Sequence, residues 1–318
     1  MSVDNPSARE SLGQEISKLK KEKNAVILAH YYALPEVQDI ADFTGDSLAL
    51  ALIARKLDND MIIMCGVHFM GETIKILCPE KTVIVPEPAA GCSLADSCPA
   101  DEFREFVRKH PGHKVISYVN TSAAVKALTD IVVTSSNALD IVSSMPEDEK
   151  IIFGPDRNLG SYIAARTGRN MIIWDGCCHV HSRFSLEGIM KLKEEYPDAK
   201  ILVHPECPEP IRLIADVIGS TEALLRGAVN ESSTGNFIVA TESGIIHKMR
   251  QACPDKNFIP APPEETGCGC NECAYMKMNT LEKILEALKT GGPCIEVDPA
   301  VAEQARKPIL RMTGEKAD

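Results

Sequence analysis

Positive charge is scarce in this 318-residue chain and nowhere concentrated. Lys and Arg number 34 against 45 Asp and Glu, the formal net charge is −11, and the only basic run is the short KLKKEK near the start. That argues against a nucleic-acid partner, because phosphate backbones are gripped by clustered Lys and Arg. The acidity itself reads as solubility. Long apolar runs are also missing. No window approaches the roughly 18 apolar residues of a membrane span, and no hydrophobic run follows a basic start, so we expect neither a membrane segment nor a signal peptide. Aromatics are 5% of residues with a single Trp, yet a hydrophobic share of 44% supports a packed core. The expected location is the cytoplasm, where twelve cysteines read as buried thiols or metal ligands before they read as disulfides.

What is present is a repeat. Three short apolar strands, VILAHYY, VISYVN and ILVHPE, end on His30, Tyr118 and His204, which are 88 and 86 residues apart. Asp42, Asp130 and Asp216 recur at the same two spacings, and so do the hydroxyl residues Ser47, Ser135 and Thr221, five positions beyond them. A further strand (MIIMCG, KIIFGP, NFIVATES) and a last one (TVIVP, NMIIW, NFIPA) follow in each passage, and each last strand leads to cysteine. Strands alternating with helix-like stretches predict α/β units with parallel sheets. The recurrence predicts three similar domains around a pseudo-threefold axis, at 1–98, 99–183 and 184–318, the last carrying a C-terminal helix and tail. Parallel strands bind ligands at their carboxyl ends, so one site is expected where the three domains meet.

The cysteines of that site are Cys92, then Cys177 and Cys178, then Cys268, Cys270 and Cys273. A local zinc module needs a second short-spaced pair, and beyond Cys270-x-x-Cys273 only Cys294 follows. A ferredoxin-type run of four is absent, and C-x3-C-x2-C fails because position 266 is Thr266. The remaining pattern is one cysteine from each domain. Three ligands on an iron–sulfur cluster leave one iron open, as Lewis-acid catalysis requires.

Laid out in order, AHYYALPEVQDIADFTGDSLAL, GVHFMGETIKIL, AGCSLAD, YVNTSAAVKA, TSSNA, FGPDRNLG, WDGCCHVH, HPEC, GSTEALL, ATESGIIHKM and CAYMKMNTLEKI resemble the quinolinate synthase family from about Ala25 to Leu288. The resemblance implies three α/β domains around a pseudo-threefold axis. It also implies condensation of iminoaspartate with dihydroxyacetone phosphate to quinolinate, phosphate and two waters, in NAD biosynthesis. A [4Fe–4S] cluster with three protein ligands would sit at the junction, and the enzyme supplying iminoaspartate is a candidate partner.

By the same resemblance the metal ligands are Cys92, Cys178 (with Cys177 its rival, otherwise a buried thiol) and Cys273, with Cys270 the runner-up. Many members read C-x-x-C-x-x-C-P there; this chain has Gly267 and Ala274 where the first cysteine and the proline would be, leaving Cys268 and Cys270 as spare thiols or a redox pair. Tyr32, His204 and Glu206 are implied as a hydrogen-bonded acid–base group, His30 as a carboxylate binder, Tyr118 and Asn120 as cavity lining, and His181 as a substrate binder beside the cluster. Ser47, Ser135 and the Ser220-Thr221 pair stand where helices begin. There they read as N-caps and as anion binders, since free amides and dipole ends converge at helix starts. That lets an acidic protein hold two carboxylates and a phosphate. His68, His110, His113, His179 and His247 read as surface or packing residues, and Trp174 and the Met of MNT as core.

Overall fold

A strand such as AVILAH, apolar at nearly every position, has no solvent face and belongs in a parallel sheet covered on both sides. The computed structural model, which describes residues 6–264 and 271–314, contains three such sheets. The first holds β1 (Ala25–His30), β2 (Phe43–Gly45), β3 (Met61–Cys65) and β4 (Thr82–Ile84) in the order β2-β1-β3-β4. The second holds β5 (Lys114–Tyr118), β6 (Ile131–Val133), β7 (Ile151–Gly154) and β8 (Met171–Ile173) in the order β6-β5-β7-β8. The third holds β9 (Lys200–Val203), β10 (Val217–Ile218), β11 (Asn236–Ala240) and β12 (Asn257–Pro260) in the order β10-β9-β11-β12. All pairings within the sheets are parallel, with helices as crossovers. The three-domain α/β architecture expected from the repeat is the one found.

The recurring aspartates have a structural task. Asp42, Asp130 and Asp216 each accept a hydrogen bond from a main-chain N–H at the start of their unit's first strand, namely Ile27 (2.8 Å), Val115 (2.8 Å) and Ile201 (2.7 Å). Each also returns its own N–H to the carbonyl of that same residue, at 2.9 Å in all three units. The loop before the second strand is thereby latched to the first strand. Register is equally repetitive: Ala29 pairs with Cys65, Ser117 with Gly154 and Val203 with Ala240.

Sheet order reverses direction between the first and third strand of each unit. That reversal opens a crevice at their carboxyl ends, and all three crevices face one cavity. Contacts around it close a ring: Ser136 donates to Asp46 at 2.9 Å, His204 Nε2 lies 3.3 Å from Ser135 Oγ, and the Tyr31 hydroxyl donates to Glu222 at 2.6 Å. The chain after position 280 returns to the first two units. Helix Leu281–Thr290 packs its Leu281, Ile284 and Leu288 with Ile16 and Ile27, and helix Pro299–Met312 lies against β6 and the helix His68–Leu77. Arg311 there donates to the Asp130 carbonyl at 2.6 Å. Among the described residues no helix is long and apolar enough to cross a membrane.

Candidate active site

The cysteines come first, because backbone geometry sorts them. The residue three positions beyond the paired end of each third strand donates its N–H to the loop that follows the fourth strand. These bonds are His68 to Ala90 (2.7 Å), Arg157 to Gly176 (2.8 Å) and Ser243 to Asn271 (3.0 Å). Each acceptor lies two residues before a cysteine, so Cys92, Cys178 and Cys273 occupy equivalent places and all line the cavity. Gly176 has no room for a side chain in this approach: a Cβ there would fall 2.5 Å from Ser97 Oγ and 2.7 Å from the Pro155 carbonyl oxygen. Cys177 is half-buried and off the cavity; Cys268 and Cys270 lie outside the described residues.

Burial is the main influence on all three thiols. It pushes Cys92 up to about 12 and Cys178 well above the ordinary thiol range, and it raises Cys273. Opposing it, each sulfur is faced by the amides two and three residues on: Leu94 and Ala95, Val180 and His181, Tyr275 and Met276. Such donors stay protonated until positive charge arrives, then ionise into ready-made amide cradles. Three half-buried soft donors of this kind fit an iron–sulfur group. A carboxylate oxygen nearby, Oε2 of Glu206, is buried and has no hydrogen-bond partner among the described residues. Cys178, His181 and Glu206 each place a potential ligand atom within 4.8 Å of the others. His181 Nδ1 is 3.3 Å from Cys178 Sγ and 3.4 Å from Glu206 Oε2.

The strand-end histidines share a geometry that fixes their tautomer. The Tyr32 N–H donates to His30 Nδ1 (3.1 Å), and the Glu206 N–H donates to His204 Nδ1 (3.3 Å). An Nδ1 that accepts leaves the proton of a neutral ring on Nε2. Both rings are held neutral: burial, with the Lys277 charge, lowers His30 to about 3, and burial, with His181, lowers His204 to about 3. His181 stacks on His204 with centroids 4.5 Å apart.

The acid–base group is wired differently from the expectation. Tyr118, not Tyr32, donates to Glu206, at 2.6 Å to Oε1. Burial alone would raise the Glu206 carboxyl, but His181, His204 and this hydroxyl outweigh it and lower it to about 2. The Tyr32 hydroxyl instead meets Thr221 (3.0 Å) and Thr241 (2.8 Å), and Thr241 meets His181 Nε2 (2.9 Å). Two short chains thus converge on His181 and Glu206 from opposite sides. Burial raises both tyrosines far above their usual range, so both remain neutral hydroxyls.

Ser220 caps its helix as expected, whereas in the first unit the cap is the residue before Ser47. The side chains that cap are Asp46, accepting from Ala49 at 2.9 Å, and Ser220, accepting from Ala223 at 3.3 Å. Ser47 and Thr221 are therefore first helical residues whose hydroxyls face the cavity, while Ser220 is the one expected site residue off its lining. Ser135 lies in the turn before helix Ala138–Ser144, where Asn137 accepts the Thr134 N–H at 2.7 Å. Asn120 lines the cavity as expected.

Sequence reasoning passed over several residues. His179, read as surface or packing, lines the cavity with Nδ1 2.5 Å from Ser93 Oγ. Thr241 and Glu242 were hidden inside ATESG, where no spacing marks them. Glu242 is buried beside Lys277 at 2.9 Å, and Lys277 also donates to the Tyr32 carbonyl. Lys126, fully buried, donates to the Thr121 carbonyl next to Asn120, and burial lowers it to about 8. Trp174 is half-buried against Phe103 and Phe106 instead of central.

Fold and site define a class: a three-unit α/β protein whose strand-end crevices meet in a pocket of soft donors, neutral histidines and a buried carboxylate. The chain belongs to the quinolinate synthase family. A family model described as quinolinate synthetase A protein matches residues 14–314. The quinolinate synthase of Synechocystis sp. (strain ATCC 27184 / PCC 6803 / Kazusa) is 54% identical over 297 residues, 93% of each chain. That of Prochlorococcus marinus (strain MIT 9303) is 51% identical over 311 residues, 98% of this chain and 93% of the relative.

Proposed function

We propose that this chain is a cytoplasmic quinolinate synthase of NAD biosynthesis, condensing iminoaspartate with dihydroxyacetone phosphate to quinolinate, phosphate and two waters. The observation that carries the reading is the equivalent placement of Cys92, Cys178 and Cys273 on a cavity that also holds anion-binding hydroxyls and proton-transfer groups. These three cysteines would hold a [4Fe–4S] cluster, which with three ligands keeps one iron open and supplies Lewis-acid chemistry for loss of a substrate hydroxyl.

The chain's own groups divide the remaining work. Ser47, Ser135 and Thr221 bind carboxylate and phosphate oxygens at the starts of helices, where unpaired amides add to the attraction. His30 and His204, neutral and carrying Nε2–H, donate to carboxylate or carbonyl oxygen without adding charge. Asn120 and Tyr118 orient the three-carbon substrate. After the enamine form of iminoaspartate displaces phosphate, the ketone must become an aldehyde, which moves a proton from carbon to oxygen and needs a base and an acid within reach. Glu206, ionised and 3.6 Å from His204 Nδ1, is placed for the base role, and His204 and the Tyr32 hydroxyl for the acid role. Ring closure onto nitrogen and loss of two waters complete the balance. His181, between the two hydrogen-bonded chains, contacts substrate beside the cluster.

The test is anaerobic incubation of iron- and sulfide-loaded protein with dihydroxyacetone phosphate and freshly generated iminoaspartate, followed by chromatography for quinolinate. Quinolinate from wild type and none from Cys92→Ala is expected. Its absence from fully loaded wild type refutes the substrate assignment.

A further inference from the structure

Two buried carboxylates outside the proton-transfer group occupy one and the same place in different units. Asp156 stands two residues beyond Gly154, and Glu242 two residues beyond Ala240, the paired ends of β7 and β11. Both are completely buried. Each divides its oxygens alike. Asp156 Oδ1 accepts the Leu159 N–H at 2.7 Å, and its Oδ2 accepts the Cys178 N–H at 3.2 Å. Glu242 Oε2 accepts the Gly244 N–H at 2.8 Å, and its Oε1 accepts the Cys273 N–H at 3.0 Å while also pairing with Lys277 at 2.9 Å. One oxygen is anchored in the turn at the strand end, and the other grips the cysteine contributed by the same unit. Position two beyond Cys65 in the first unit is Val67, whose side chain offers no acceptor. Among the described residues Cys92 therefore has no equivalent carboxylate and is held by main-chain bonds, His68 to Ala90 (2.7 Å) and Asp96 to the Cys92 carbonyl (2.9 Å).

A buried carboxylate is expensive to desolvate. Capping the helix Arg157–Thr167 accounts for one oxygen of Asp156 and leaves the other unexplained. Two residues of different length, in units of unrelated local sequence, reach the same cysteine amide. We propose that Asp156 and Glu242 are positioning residues that lock the main chain of Cys178 and Cys273, so that their sulfurs are presented in a fixed geometry, whereas Cys92 has no carboxylate in the corresponding place. The inference rests on the reading of these cysteines as metal ligands and assigns each a second-layer support, the kind of contact whose loss typically weakens a metal site by about 10- to 100-fold.

The test uses the full-length protein in two states. With iron and sulfide loaded, the rate of bleaching by a chelator is followed anaerobically. After iron removal, iodoacetamide labelling of each cysteine is followed by mass spectrometry. Asp156→Ala is expected to speed labelling of Cys178 about tenfold and leave Cys273 unchanged. Glu242→Ala does the reverse, and each speeds bleaching about 10- to 100-fold. Asp156→Asn and Glu242→Gln keep one acceptor oxygen of the two and should fall between wild type and the alanine variants. Ser185→Ala, which removes the cap of helix Leu186–Glu195 away from the cysteines, controls for general loosening. Equal acceleration of both thiols, or acceleration no greater than in Ser185→Ala, would overturn the proposal. Residue-specific labelling together with failure to assemble any cluster would uphold the clamps and refute the cofactor reading instead.

Discussion

The bond between Tyr118 and Glu206 joins the second unit to the third and can be weighed without any cofactor. Both groups are buried, and 2.6 Å is the length of a charge-assisted O–H···O⁻ bond. Hydrogen bonds to charged groups contribute about 1.5–3 kcal/mol net. His181 and His204 also hold Glu206 low, from 3.4 and 3.6 Å, but neither contact is as short as the bond from Tyr118. Tyr118→Phe therefore raises the Glu206 pKa by about one to two units. From about 2 that still leaves the group ionised at pH 7. A double-mutant cycle of Tyr118→Phe and Glu206→Gln, read by urea unfolding of the iron-free protein at pH 7, should give a coupling of about 1.5–3 kcal/mol. A coupling below about 0.5 kcal/mol would show that the carboxylate does not depend on this hydroxyl, and the argument for an ionised Glu206 would fail.

Three further outcomes follow from the same geometry. His204 is depressed to about 3 from 6.5, so its stabilising contribution is present above about pH 6.5 and lost progressively toward pH 3. The stability advantage of wild type over His204→Asn should then shrink by about 1.4 kcal/mol per pH unit between pH 6 and pH 4, and a pH-independent difference contradicts a neutral buried ring. Asp42→Ala, Asp130→Ala and Asp216→Ala each break the same latch, and each should lower unfolding free energy by about 1–2 kcal/mol; a cost at only one site would deny their equivalence. Gly176→Ala forces a Cβ against the Pro155 carbonyl and should reduce iron bound per chain, whereas Cys177→Ala should leave it at the wild-type level.

The repeat was legible because its landmarks are structural necessities. A latch aspartate, a strand-end side chain and a cavity-facing hydroxyl must recur wherever the same unit recurs, so Asp42, Asp130 and Asp216 announced three domains without any coordinates. The expected lining residues were legible for the same reason. What stayed hidden was pairing between units: nothing in sequence says that Tyr118 reaches Glu206 while Tyr32 reaches Thr241. Capping shifted by one residue in the first unit because Asp46 is as competent to cap as Ser47 beside it. Asp156 and Glu242 escaped because valine in the first unit, aspartate in the second and glutamate in the third leave no repeated letter to notice. His179 was passed over inside CCHVH, where His181 drew the attention. The return of helices Leu281–Thr290 and Pro299–Met312 to the first two units is set by docking surfaces that no local pattern encodes.

The central claim is that three equivalently placed cysteines leave one metal position for substrate. Mössbauer spectroscopy of protein loaded with about four ⁵⁷Fe per chain, with and without quinolinate, tests it most directly. The account predicts that one iron in four changes its isomer shift and quadrupole splitting when the dicarboxylate is added. Four irons indifferent to quinolinate, in protein that retains its full cluster, would mean a closed site and contradict the account.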